Sequence, residues 1–181
     1  MDRTLPINSS PLFLTRMAAF VAVAVVVGYL LAPVPNVELV TATCFAAGYC
    51  LGALAGVVVG AVAEFLFAGL HPMGSSIGLL VVGQMLGMAL AGFVGGRVSL
   101  FLTNLQSLTS RRILLLLGAL LTLIFDLLTN LAFPLQAGFS FSQTRAVLLA
   151  GIGFAAIHIV SNSLVFSLVL PSLLSRLKKM V

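Results

Sequence analysis

Hydrophobic residues run along this chain in long blocks, without the alternation of a half-buried strand or the fourfold stripe of a soluble helix. The blocks cover about 12–32, 38–70, 77–96, 113–133 and 146–170. Most match the roughly 20 residues that carry a helix across a bilayer. The block 38–70 does not: as one helix it would measure roughly 48 Å, against a hydrocarbon core of about 30 Å. A break within Gly48-Tyr49-Cys50-Leu51-Gly52 divides it, giving six spans at about 12–32, 38–48, 52–70, 77–96, 113–133 and 146–170.

Charge supports that break. Lysine and arginine near span ends stay on the cytoplasmic side. With six spans and both termini inside, Arg3, Arg16, Arg97, Arg111, Arg112, Arg176, Lys178 and Lys179 are all cytoplasmic, and only Arg145 is outside. Without the break, Arg97, Arg111, Arg112 and the basic C-terminus move outside. The outer links are then 32–37, 70–76 and 134–145, and the inner 97–112 stretch reads as an amphipathic segment along the membrane surface. The run from Met17 to Leu31 is longer than a signal-peptide core and lacks a small-residue cleavage site, so it reads as a retained first span.

Composition adds the class. The chain has 181 residues, 61% of them hydrophobic and 7% charged, where soluble domains carry about 25% charged residues. The expectation is an all-α integral membrane protein, a compact bundle of six transmembrane helices forming a single domain over 1–181. The net charge of +5 follows from topology and implies no nucleic-acid partner. Cys44 and Cys50 lie in apolar sequence and read as small buried hydrophobes, with neither a disulfide nor zinc-ligand spacing.

Two ladders of small residues suggest how the spans pack. Gly52, Gly56 and Gly60 form one, and Gly83, Gly87, Ala91 and Gly95 the other. In lipid, close backbone approach through small residues substitutes for the missing hydrophobic drive. Ala18 and Ala22 on the first span are also four apart. Such a stripe either packs within the bundle or faces another protein.

Against this background the polar residues within or beside the spans are few: Asn36, Glu38, Glu64, His71, Gln84, Asp126, Asn130, Arg145, His158 and Asn162. Intramembrane ionisable groups cost about 2.5–3.5 kcal/mol at a helix centre and usually face the bundle interior. Asp126 and Asn130 are four apart and share a helix face, as do His158 and Asn162. Spans five and six should be antiparallel neighbours, so an Asp126–His158 contact is expected. The bland alternative is helix-bridging hydrogen bonds for the asparagines and solvated positions for Glu38 and His71. Most of the set falls in the outer half of the bundle, which fits a binding pocket open to the outside. The other classes are a small intramembrane enzyme using His158 and Asp126, and a self-sufficient transporter. No H-E-x-x-H, G-x-S-x-G or paired-aspartate motif supports an enzyme, and no inverted repeat supports the transporter.

Six spans of this size, together with PNVELVT (35–41), the GALAGVVVGAVAEFLF–HPMG run (52–74) and GQMLGMALAGFVGG (83–96), resemble the substrate-binding S component of energy-coupling factor (ECF) transporters. DLLTN (126–130) and HIVSN (158–162) fit the same pattern. The resemblance implies a protein of a prokaryotic cytoplasmic membrane that captures a water-soluble vitamin or related micronutrient near the outer face. It implies a membrane coupling (T) subunit and two cytoplasmic ATPase subunits as partners, with Ala18 and Ala22 matching the family's contact with the coupling subunit. The chain has no G-x-x-x-x-G-K-[ST] loop, so hydrolysis of ATP falls to those partners. No enzymatic activity, metal or cofactor is implied. Asp126, Asn130, Gln84 and His158 are the first expected ligand contacts, and Asn162, Glu38, Glu64, His71, Asn36 and Arg145 complete the candidate set.

Overall fold

The computed structural model describes residues 10–71 and 74–178. Arg3 and Lys179, two of the basic residues used above, lie outside the described residues. The order is α1 (Pro11–Leu31), α2 (Val40–Leu51), α3 (Ala53–Gly69), α4 (Leu79–Val98), α5 (Leu108–Gln136), α6 (Phe141–Leu164), a π-helical turn (Val165–Val169) and α7 (Leu170–Leu177). From α6 through α7 the chain is one continuous helix, so among the described residues six helical segments build an all-α structure. Four of them, α1, α4, α5 and Phe141–Leu177, are long and apolar enough to cross a membrane. This is the architecture of a multi-pass membrane protein.

The segments alternate in direction. Residues 32–39, 70–71, 74–78 and 137–140 lie at one end of the bundle, called here the upper end. The α2–α3 break, the 99–107 link and α7 lie at the lower end. The break falls at Gly52, whose φ of 97° is a conformation that only glycine adopts without strain.

α2 is the centre of the bundle. Every residue from Val40 to Tyr49 is buried, and α1, α3, α4 and α5 all pack against it. Its 12 residues reach only about 18 Å, and this shortness positions the site described below.

Small residues set the contacts, on more faces than the two ladders suggest. Gly83 and Gly87 of α4 face α5 at Leu128 and Phe125, and Gly95 rests on the Phe45 carbonyl of α2. Gly92, outside either ladder, faces Gly56 of α3: a Cβ there would stand 2.9 Å from Gly56 Cα and closer still to its carbonyl. Backbone cannot yield as a side-chain tip can. Gly92→Ala should therefore destabilise the bundle by about 1–3 kcal/mol. Gly69→Ala, where nothing lies within 4 Å of the added carbon, should be neutral. Thermal unfolding of both variants in detergent checks the pair.

Three local expectations are corrected. The 97–112 stretch is not one segment: α4 runs to Val98 and α5 begins at Leu108, and residues 99–107 between them form a link with Leu102 and Leu105 buried. Tyr49 Oη donates to the Leu102 carbonyl at 2.7 Å, which anchors it. Ser107 then caps α5 by accepting from Ser110 N at 3.1 Å, so Arg111 and Arg112 sit in the first turn of that helix. The 134–145 link is shorter than expected, because Ser140 and Gln143 form a capping box. That box starts α6 at Phe141 and places Arg145 on the helix.

Candidate functional site: a polar cavity above the short helix

Glu38 immediately precedes α2, and its geometry follows from helix chemistry. The first turn of a helix presents unpaired N–H groups and a partial positive charge. Leu39 at the cap position offers no side-chain acceptor. Glu38 fills that role: Oε2 accepts from Thr41 N at 2.9 Å. Its Oε1 accepts from Asn162 Nδ2 at 2.7 Å and lies 3.6 Å from His158 Nε2.

The expected Asp126–His158 contact is present. His158 Nδ1 is 2.8 Å from Asp126 Oδ1, bridging α5 and α6. The imidazole is therefore held between two carboxylates, one at each ring nitrogen. Phe125 stands edge-to-face on it, with centroids 6.0 Å apart. Below this level Asn162 is fully buried. It also donates to Thr122 Oγ1 at 3.0 Å, and Thr122 in turn donates to the Gly118 carbonyl at 2.8 Å. One helical turn further, Phe166 in the π turn packs on Phe45 with centroids 5.1 Å apart, closing the interior with apolar contacts.

Above the Asp126–His158 level is a cavity of about 310 Å³. α4 contributes Gln84; α5 contributes Phe125, Asp126, Thr129 and Asn130; α6 contributes Gly151, Phe154, Ala155 and His158; and the α1–α2 link contributes Asn36. The cavity exists because α2 starts only at Val40, beneath it, and leaves the upper part of the bundle centre to a link. Asn36 in that link has φ 57°, a left-handed conformation that asparagine tolerates better than most residues. Gly151 brings α6 against α5 at the height of Asn130.

The candidate residues fall into three groups. Asp126, Asn130, Gln84, His158 and Asn36 line one cavity. Glu38 and Asn162 form the hydrogen-bonded layer beneath it and are not on its wall. Glu64, His71 and Arg145 are elsewhere: Glu64 is buried in the packed interior, Arg145 is exposed on α6, and His71 lies in an aromatic group with Phe67 and Tyr29. Ala18 and Ala22 are exposed on α1, away from the bundle.

Several buried polar atoms have no hydrogen-bond partner within the protein. Asp126 Oδ2, Gln84 Oε1 and His158 Nε2 belong to cavity residues, while Glu64 Oε2 and Asn162 Oδ1 do not. Buried polar groups normally find partners; His158 Nε2 faces Glu38 Oε1 at 3.6 Å, which leaves Asp126 Oδ2 and Gln84 Oε1 as the unpartnered atoms on cavity residues. Pro134 adds to this, since it has no N–H to give to the Asn130 carbonyl one turn below.

Sequence reasoning missed Phe125, Thr129, Gly151, Phe154 and Ala155. A signal for the α6 residues was present: Gly151, Ala155, His158 and Asn162 recur at helical spacing and share one face. Comparisons with protein-family models, with curated proteins and with solved structures gave no match.

Proposed function

We propose that this protein is a substrate-binding S component of an ECF-type transporter, capturing a small water-soluble vitamin or related micronutrient for ATP-driven import by partner subunits. The observation that carries this reading is the cavity floored by the Asp126–His158 pair, polar and closed from below. A channel would need a polar path continuing past the Glu38–Asn162–Thr122 layer beneath that floor, and Phe45, Leu114 and Phe166, all fully buried, occupy the interior beyond it instead.

The charge distribution supplies an orientation. Arg16, Arg97, Arg111, Arg112, Arg176 and Lys178 cluster at the lower end, which supports reading that end as cytoplasmic under the positive-inside bias. The cavity then sits toward the exterior of a prokaryotic cytoplasmic membrane. An enzyme reading draws on the same His158–Asp126 pair. Its cavity hydroxyl, Thr129, donates to the Phe125 and Asp126 carbonyls at 3.0 and 3.1 Å, with no contact to His158 that would make a hydroxyl–imidazole pair.

Mass spectrometry of the detergent-purified chain tests the reading. One small polar molecule should be retained in near-stoichiometric amount. A chain that retains none, and that no nutrient stabilises, overturns it. A chain that converts a retained lipid or peptide favours the enzyme.

The partner side has its own test. Ala18 and Ala22 present a flat, small-residue stripe on an exposed face of α1, suited to close helix contact with a coupling subunit. Replacing both by phenylalanine should leave ligand binding unchanged and strongly lower nutrient uptake in cells that hold the partner subunits. Unchanged uptake removes that face from the proposal.

A further inference from the structure

The cavity wall carries a chemical bias that the receptor reading does not specify. Two carboxylates, Asp126 and Glu38, share one imidazole, so even an imidazolium leaves one negative charge over. Among the described residues no lysine or arginine lines the cavity. On the elements that form it, Arg145 comes closest in sequence, six residues before Gly151 and so roughly 9 Å further up α6, and its side chain is exposed. Glu38 is also occupied by Thr41 N and Asn162 Nδ2. Asp126 is not: Oδ1 meets His158, and Oδ2 is buried with no donor at all.

The atoms waiting for a partner are mostly acceptors. Asp126 Oδ2 and Gln84 Oε1 are buried acceptors without a donor, and the Asn130 carbonyl one turn below Pro134 lacks its helical N–H; the imidazole, 93% buried at its side chain, turns Nε2 toward Glu38. Phe125 and Phe154 frame the space with two aromatic side chains. Aromatic faces attract cations by about 0.5–2 kcal/mol, most strongly where water is excluded. A metal ion does not suit the set, because Asp126 and Glu38 address opposite nitrogens of the ring and so do not converge on one point.

Resting on the receptor reading, we propose that the captured nutrient is a small organic cation, an ammonium, amidinium or protonated nitrogen heterocycle, with Asp126 as its counter-ion and Phe125 and Phe154 as its aromatic frame. At about 310 Å³ the cavity lies at the small end of ligand pockets, which suits one ring with a basic substituent. Binding such a cation neutralises the surplus charge of the floor and gives Asp126 Oδ2 its missing donor.

Three probes of similar size and different charge test this: benzamidine, benzyl alcohol and benzoate, titrated onto the ligand-depleted full chain in lipid nanodiscs while its unfolding temperature is followed. Benzamidine should stabilise the protein saturably and bind about tenfold or more tighter than the other two, the span of one charge-assisted hydrogen bond. Asp126→Asn, which keeps the shape and an acceptor for His158, should level the three probes. Phe154→Leu, at a site 60% exposed where folding is insensitive, should weaken benzamidine several-fold and leave benzoate unchanged.

Benzoate or benzyl alcohol binding as tightly as benzamidine overturns the charge assignment and leaves the receptor reading standing. A preference for benzamidine that survives Asp126→Asn overturns Asp126 as the counter-ion. If no probe binds and no small molecule is retained on purification, both the cation and the receptor fail.

Discussion

Asp126→Ala is expected to weaken binding of the retained nutrient by about 100-fold, while lowering the stability of the bundle by only about 1–2 kcal/mol. The first figure follows from the net worth of a hydrogen bond to a charged group, about 1.5–3 kcal/mol, at 1.4 kcal/mol per tenfold in affinity. The second follows from place. Asp126 stands on the wall of a cavity, so water replaces the lost carboxylate and meets the His158 Nδ1 left behind. Isothermal titration with the co-purified nutrient, together with chemical unfolding of the same preparations, measures both. A loss of stability as large as the loss of binding, in energy, would make the Asp126–His158 pair a structural clamp and nothing more.

What was legible in the sequence, and what was not, divides along a physical line. Charge and chain geometry were informative because they are sparse. The break at Gly52 could be read because a 33-residue helix would be too long for the membrane and would scatter the arginines. The Asp126–His158 contact could be read because only a few polar groups stand in an apolar chain and i,i+4 arithmetic places them on facing sides. Residues that differ little from their surroundings were mute. In a membrane bundle lipid-facing and core-facing residues are both apolar, so nothing in VTATCFAAGY (40–49) reveals that α2 is the buried centre. Phe125 and Phe154 look like any other phenylalanine. Gly92 sits beside a recognised ladder without belonging to it, and only the facing backbone of Gly56 gives it a role.

The same division separates residues that hold the site from residues that use it. Glu38 and Asn162 are as polar as Asp126 and Gln84, and spacing alone grouped them all as ligand contacts. Their hydrogen bonds differ. Each oxygen of Glu38 already accepts from a donor, at the α2 terminus and at Asn162. Asp126 and Gln84 each keep a buried oxygen without one; Asn162 does too, at Oδ1, but it does not line the cavity. Unfilled acceptors are what a ligand can complete, so the cavity's selectivity belongs to its wall, and the layer beneath keeps α2 from rising into it.

That layer gives the largest expected effect on stability. Asn162→Ala should cost about 3–4 kcal/mol, within the range for removing one partner of a buried charge. Asn162 is fully buried, and its amide ties Glu38 on one side to Thr122 on the other, across α2, α5 and α6. Truncation leaves Glu38 Oε1 with only the His158 ring nitrogen at 3.6 Å. Ligand affinity of the fraction that still folds should change little, the reverse of the Asp126→Ala pattern. Asn162→Asp distinguishes shape from charge. It is nearly isosteric, yet it replaces the donor to Glu38 with a third carboxylate at the same point. It should therefore be more damaging than Asn162→Ala in the same unfolding measurement, although it leaves no void. An aspartate variant as stable as the parent at every pH would show that Glu38 is not held there as an anion, whereas one stable only at low pH would mean that the new carboxyl donates to Glu38 as a neutral acid.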